Sequence, residues 1–374
     1  MSLLSYFQKK KRPAGEGPAT GPIGFHLSND KLHLIQLEKH GDGMRLRSGL
    51  SAAYPESRES LLSSPGDFKA FVKSSLKAGQ FKSNEIITCL PGGVKIINLS
   101  YQIEAGQKIE DEIVKSIIYS LGGAPEDYII DYLPIRSENL TSRDKSVLVF
   151  VALREKLINY LDALRHAGLK VQAVDVGPSA LGRLISSLDP DKNYPHNLLL
   201  NFAGNKSYLS VFDGRRLIMD RALPLGLNNL LETLTNSLGI EKEQALEVLN
   251  RYGFKIKKGG GEGDESSVQH QEIVDAIVEI LKPYFQEISE ELNKMLLFTK
   301  SETRGKTIEH IYLLGSMIRF PGAERFISEI LSFPASVLDP LAHISIKEER
   351  AKYINLDGPA HVALSMGFAL RGMV

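Results

Sequence analysis

Two short stretches of this sequence carry the residue types that grip a phosphate. In the first, the strand-like IGFHL reaches His26, and a tight turn of Ser28, Asn29, Asp30 and Lys31 leads into KLHLIQL. In the second, LLLN ends at Asn201, and Ala203, Gly204, Asn205 and Lys206 form the turn before SYLSVF. A strand–turn–strand can aim successive backbone N–H groups at an anion, and small turn residues let the phosphate come close. Lys31 and Lys206 are each placed to add a charge, although a hairpin lysine is ordinarily solvated. A third feature is Leu314-Gly315-Ser316-Met317, a glycine turn at the end of the buried strand-like run IEHIYLLGS. The two hairpins keep one constant offset, which implies two related α/β domains facing each other across a cleft.

Other chemistry is sparse. Cys89 is the only cysteine, in the apolar setting IITCLPGG, and reads as a buried thiol rather than a nucleophile. The nine histidines form no metal-ligand grouping. His26, His33 and His40 recur every seven residues, which along a strand puts neighbours on opposite faces. Asp175, at the end of AVDVGP, reads as a cap for the helix after Pro178. GGGEGDESS lacks the preceding buried strand of a phosphate loop and reads as a linker. Walker and Gly-x-Gly-x-x-Gly patterns are absent.

The elements that must hold these residues follow from periodicity. Strand signals at 23–27, 32–37 and 44–54 form an antiparallel meander. Pro65-Gly66-Asp67 opens a helix with Phe68, Phe71, Val72 and Leu76 on one face, and IITCL is a buried strand stopped by Pro-Gly-Gly. A β-α-β-β-α-β rhythm then runs over 95–176 and reads as an inserted subdomain. SALGRLISSL is a helix that returns the chain to the first half. The second half opens with three strands, continues with two helices and a loop at 255–267, and then a long helix over 268–300. That helix carries Val274, Ile277, Leu281, Phe285 and Ile288 at helical spacing, with a kink expected at Pro283. A strand, a helix, another strand and a final helix, PAHVALSMGFALRG, complete the chain.

At 374 residues, with 43% hydrophobic and 24% charged, the chain is an ordinary globular one with room for two domains. Lys+Arg and Asp+Glu are both 45, so no net field draws it to nucleic acid. The N-terminal MSLLSYFQKKKRP has its apolar part before its basic cluster, the reverse of a secretory signal. It reads as a solvated tail that can touch a partner or an anionic surface, at about 1 kcal/mol per basic residue. No run reaches the length of a spanning helix.

The whole pattern resembles the PilM family, the actin-like proteins of type IV pilus assembly. The resemblance covers about residues 20–372. It rests on IGFHLSNDKLHLIQL, LINYLDALRHAGLKVQAVDVGPSALGRL, LSVFDGRRLIMDRALPLG, IYLLGSMIRFPGAERFISEIL and ALSMGFALR. The cell-division protein FtsA and the cytoplasmic domain of the type II secretion L protein share the lineage. The resemblance implies an α/β, actin-like (Hsp70/actin/sugar-kinase) ATPase fold: two duplicated domains around a cleft, with an FtsA/PilM-type insert. The expected division is a tail and linker at 1–22 and a first domain of 23–94, 177–195 and 355–374. The insert is then 95–176, the second domain 196–226 with 300–354, and its helical subdomain 227–299.

In that superfamily each hairpin begins with an Asp that holds hydrated metal. Here His26 and Asn201 stand at those positions, and Ser28 and Ala203 stand where glycines follow. Asn29, Asp30 and Lys31 replace hydroxyl residues, and Asp30 would oppose a polyphosphate by about 4 kcal/mol per charge pair at 4 Å in an intermediate dielectric. The adenosine turn keeps Gly315, followed by Ser316, and Met317 crowds the base. The expectation is therefore no catalytic residue, no resident metal or cofactor and no hydrolysis, with ATP and Mg²⁺ the ligands to test at this degenerate site. The resemblance implies a cytoplasmic adaptor peripheral to the inner membrane. Its partners would be the N-terminal tail of a PilN-like bitopic protein, the motor ATPase, and further copies in a ring or homo-oligomer. Two alternatives stay open, an ATP-driven switch in the same machine and a small-molecule kinase.

Overall fold

The apolar run that ends at His26 becomes the centre of a sheet. In the computed structural model, which describes residues 20–41, 43–102, 108–135, 145–188, 196–254, 265–302, 305, 307–342 and 344–373, the chain divides into two compact units. One comprises Met1–Asn193 with Asp339–Val374, the other Tyr194–Leu338. The basic tail, most of its linker and the glycine-rich stretch at 255–264 lie outside the described residues.

The first unit begins with the meander β1 (Thr20–Leu27), β2 (Lys31–His40) and β3 (Gly43–Ala53), followed by the short helix α1 (Arg58–Ser63) and by α2 (Pro65–Ala78). Strand β1 is buried along almost its whole length because it lies between β2, antiparallel, and β4 (Glu85–Cys89), parallel. Pro65 at the first turn and the buried Phe68, Val72 and Ser75 account for α2 and for the face it packs.

The chain then leaves this sheet. Strands β5 (Lys95–Tyr101), β6 (Tyr128–Ile135) and β7 (Lys145–Leu153) form a separate antiparallel sheet in the order β5-β7-β6, covered by α3 (Ile109–Leu121). Ile113 and Ile117 of α3 pack on Val147, Val149 and Val151.

The insert ends here rather than at 176. Helix α4 (Arg154–His166) buries Leu157, Tyr160 and Leu164 in the cluster that holds Phe25, Phe68 and Val72. Strand β8 (Lys170–Asp175) pairs in parallel with β4. Both therefore belong to the first sheet's layer, and the separate sheet closes at Leu153. Helix α5 (Gly177–Leu188) follows.

The second unit repeats the plan. Strands β9 (His196–Phe202), β10 (Ser207–Asp213) and β11 (Arg216–Leu223) form its meander. Helices α6 (Leu227–Leu238), α7 (Lys242–Arg251) and α8 (Glu265–Glu302) follow, α8 running through Pro283 with Val274, Ile277, Leu281, Phe285 and Ile288 buried. Strand β12 (His310–Gly315), helix α9 (Ala323–Leu331) and strand β13 (Ala335–Val337) close it. The order β11-β10-β9-β12-β13 reproduces β3-β2-β1-β4-β8 strand for strand, so the duplication seen at the hairpins extends to both sheets.

Beyond residue 338 the chain rejoins the first unit. Strand β14 (Ser345–Ile346) pairs in parallel with β3, and helices α10 (Glu348–Ala351) and α11 (Pro359–Arg371) follow. Residues 339–354, assigned from sequence to the second domain, thus lie with the first. A two-residue strand has too few positions to show which sheet it joins. Helix α11 buries Val362, Ala363, Met366 and Phe368. It lies so close to β1 that a Cβ on Gly24 would stand 1.8 Å from the Ser365 carbonyl oxygen. Buried Asp175 pairs with Arg183 of α5 at 3.1 Å and with Arg371 of α11 at 3.0 Å.

Because Leu164 is fully buried among residues of the first sheet, Leu164→Ala should cost about 2–5 kcal/mol in denaturant unfolding. Hydrogen exchange should accelerate along β4 and β8. Acceleration confined to the β5-β7-β6 sheet would place α4 in the insert instead.

Candidate functional site

The first hairpin is fastened by its own unit. Ser28 N donates to the Lys31 carbonyl at 2.9 Å, and Lys31 N donates back to Ser28 Oγ at 3.1 Å. The Ser28 hydroxyl contacts Asp30 Oδ1 at 2.8 Å and the Lys31 carbonyl at 2.9 Å. Tyr54, at the end of the meander, donates its hydroxyl to the carbonyls of Lys31 (2.7 Å) and Ser28 (3.0 Å). Arg58 of α1 reaches Asn29 Oδ1 at 3.1 Å and the Ser28 carbonyl at 3.3 Å. Lys31 pairs with Asp357 at 2.8 Å. The ammonium that could have met a phosphate is thereby engaged, in a pair about one-third exposed on each side and worth at most about 1 kcal/mol.

Behind the turn lies a column of imidazoles. His26 and His33 are direct partners across β1 and β2, not on opposite faces as the heptad spacing implied, because the turn between them folds one strand onto the other. Their rings stack at 5.9 Å, and His33 stacks in turn on His361 of α11 at 6.0 Å. His33 Nδ1 meets Ser51 Oγ at 2.9 Å, whereas His26 Nδ1 is buried with no hydrogen-bond partner among the described residues. Burial foremost, then the neighbouring His33 and Arg58, push the pKa of His26 down to about 3. Burial and then His361 push His33 down to about 4. Burial opposes the Asp30 charge, but the Ser28 hydroxyl and its own backbone outweigh it, and its pKa falls. No group of three metal-ligating side chains converges among the described residues.

The second hairpin has a different support. Ala203 N donates to the Lys206 carbonyl at 2.9 Å. The carbonyls of Ala203 and Gly204 accept from Leu227 N (3.0 Å) and Asn228 N (2.8 Å), so the turn's own oxygens satisfy the first amides of α6. A Cβ on Gly226 would stand 2.5 Å from the Gly204 carbonyl oxygen, which is how closely loop and helix approach. Asn205 is held by Asn228, which also takes a bond from Lys242 at 3.0 Å. Gly315 lies beside this hairpin in the sheet, opposite Phe202. Its φ of 100° and the 2.0 Å that would separate a Cβ from the Phe202 carbonyl oxygen both require glycine. Ser316 Oγ donates to that same carbonyl at 3.1 Å. Asn201, Ala203, Gly204, Asn205, Lys206, Gly315 and Ser316 thus sit at one end of one sheet. His26, Ser28, Asn29 and Lys31 sit at the corresponding end of the other.

Asp175 does not cap α5. The first carbonyl of that helix to accept is Val176's, from Ala180 N at 3.0 Å, while Asp175 Oδ1 takes the Val176 amide at 2.9 Å and its charge is matched by two arginines. Tyr54, Arg58, Asp357 and His361 carry no local signal in the sequence. Each becomes part of the first hairpin only through the fold.

The sequence profile described as "Type IV pilus assembly protein PilM" matches residues 24–373. This chain belongs to the PilM family. Among solved structures, it is similar to a chain of a "PilM-PilN type IV pilus biogenesis complex" with a TM-score of 0.69 and 20% identity, over 96% of this chain and 100% of that one. The ethanolamine utilization protein EutJ from Carboxydothermus hydrogenoformans matches at 0.49 and 12% identity, over 96% and 91% of the two chains. MreB 5 of Spiroplasma citri bound to AMPPNP matches at 0.45 and 9% identity, over 84% and 90%. The fold of this PilM-family chain is actin-like, and the duplicated five-strand order is its signature here.

The imidazole column predicts a pH dependence. Both histidines bind protons less readily folded than unfolded, where their pKa is about 6.5. Stability should be full above pH 6.5 and fall as pH drops toward the folded values of about 4 and about 3. The slope should be at most about 1.4 kcal/mol per pH unit for each group. Urea unfolding at pH 7.5, 6 and 5 measures it, and His33→Asn should flatten the curve. A wild-type curve flat from pH 7.5 to 5 would contradict the burial of these rings.

Proposed function

We propose that this protein is a cytoplasmic actin-like adaptor of a type IV pilus assembly platform. It binds the N-terminal cytoplasmic tail of a PilN-like bitopic inner-membrane protein and links it to the motor ATPase, with a nucleotide site reduced to architecture. The observation that carries the reading is the full-length likeness to a chain of a PilM–PilN complex, together with family membership over residues 24–373. Among the described residues no helix is long and apolar enough to cross a membrane, which agrees with a protein held at the membrane by a partner.

The two hairpins support the loss of nucleotide chemistry. His26 and Asn201 offer no carboxylate for a metal, and Asp30 brings a negative charge to the first turn. Lys31, the cation of that turn, is matched by Asp357. An extended tail lying against strands would draw affinity from main-chain hydrogen bonds and side-chain pockets, and the insert is the place to look for it.

Two measurements test the reading. Calorimetry with a peptide of the PilN-like protein's N-terminal cytoplasmic tail should show saturable binding, and its absence would defeat the adaptor. Thermal unfolding should not move with Mg-ATP. A nucleotide-driven switch would instead gain about 2.7 kcal/mol at a hundredfold excess over its dissociation constant.

A further inference from the structure

The inserted sheet has two edges, and among the described residues only one is guarded. Along β6, Pro134 withholds an N–H, and Arg154 lays its guanidinium over the start of the strand, donating to the carbonyls of Glu126 (2.6 Å) and Tyr128 (3.2 Å). Strand β5 has β7 as its only strand neighbour among the described residues. It is seven residues of KIINLSY with no proline, and Lys95, Asn98 and Ser100 are exposed. Such an edge offers its outward amides and carbonyls to another strand.

The flank of α3 beside that edge is unusual as well. Tyr132 of β6 donates to Glu110 at 2.8 Å, which turns the Glu110 side of α3 toward β6. Ile113 and Ile117 face the sheet. At 100° per residue, Glu112, Ser116 and Tyr119 share the opposite side, above β5. Tyr119 is 97% exposed. The hydroxyl of Tyr128 holds the Gly122 carbonyl at 2.7 Å, so α3 ends over the end of the sheet where Tyr128 pairs with Leu153 and Lys95 with Val151. Tyr119 therefore lies toward the Lys95 end of β5, and Glu112 toward the Tyr101 end.

We infer that β5 is a self-association edge, pairing antiparallel with β5 of a second copy about Asn98 to make a continuous six-stranded sheet. The pairing is self-complementary. Lys95 of one copy falls opposite Tyr101 of the other, on the face covered by α3 because Ile97, Leu99 and Tyr101 pack there. That position brings the Lys95 ammonium to Glu112 of the other copy, and two-fold symmetry makes the contact twice. No ion pair within the chain occupies Lys95 or Glu112 among the described residues. Two sheets joined at their edges put the α3 axes about 14 Å apart, wider than the 8–10 Å of directly packed helices. Long side chains must fill the gap, which gives the exposed Tyr119 a place.

Analytical ultracentrifugation of the full chain from about 1 µM to about 1 mM tests this, with circular dichroism confirming that each variant is folded. A concentration-dependent dimer is expected. Lys95→Glu and Glu112→Lys should each weaken it about three- to thirtyfold, and the double variant should restore it. Amides of β5 should gain exchange protection with concentration. A chain that stays monomeric throughout, or a dimer that neither charge change affects, would overturn the inference. So would protection of β5 in a monomeric chain by the membrane protein's tail peptide, which would assign the edge to that peptide.

Discussion

One missing methyl group sets the first unit. Gly24 lets the backbone of β1 lie directly against α11, where any side chain would meet the Ser365 carbonyl oxygen at 1.8 Å. From that contact the rest is placed. His361 arrives on α11 to stack on His33, and Arg371 reaches Asp175 at the end of β8. Gly367 allows the same closeness to α5, since its Cβ would be 2.4 Å from the Ala180 carbonyl oxygen. The sheet, the returning helix and the terminal helix are thus one packed layer held at van der Waals distance.

The two hairpins show how one inherited shape can be held in two ways. In the second unit the turn is braced by a helix whose first amides take the turn's carbonyls, and by Gly315 alongside it. In the first unit the bracing comes from side chains: Tyr54 and Arg58 from the end of the meander and the helix after it, and Asp357 from near the other end of the chain. Behind the first turn the rings of His26, His33 and His361 stack on one another. Burial favours the neutral form of His26 and His33, so these two stacked rings need no counter-charge.

Much of the fold was legible because its signals are local. The periodicity around His26 and Asn201 marked both hairpins, and the spacing of Val274, Ile277, Leu281, Phe285 and Ile288 marked the long helix. What was not legible is which surface a legible element faces. Leu157, Tyr160 and Leu164 announce an amphipathic helix, yet nothing near them says that it packs on Phe68 rather than on the inserted sheet. The seven-residue spacing of His26 and His33 suggested opposite faces only while the turn between them was ignored. Asp357 and His361 lie more than three hundred residues from the hairpin they support, beyond any reading of motif or spacing. The two hairpins themselves were marked by their likeness to each other, but the partners of their residues required the fold.

The placement of α11 also orders the birth of the protein. The second unit is one uninterrupted segment, Tyr194–Leu338, and every partner it needs has left the ribosome before α11 appears. The first unit is split around it, and its β1 must wait for a helix that follows the whole second unit in the chain. During synthesis the second unit can therefore finish first, while the first keeps the face of β1 and β2 that carries Gly24 and Ile35 open to solvent. A growing chain in that state is the form most in need of chaperone cover, and closure by α11 is the moment at which that need ends.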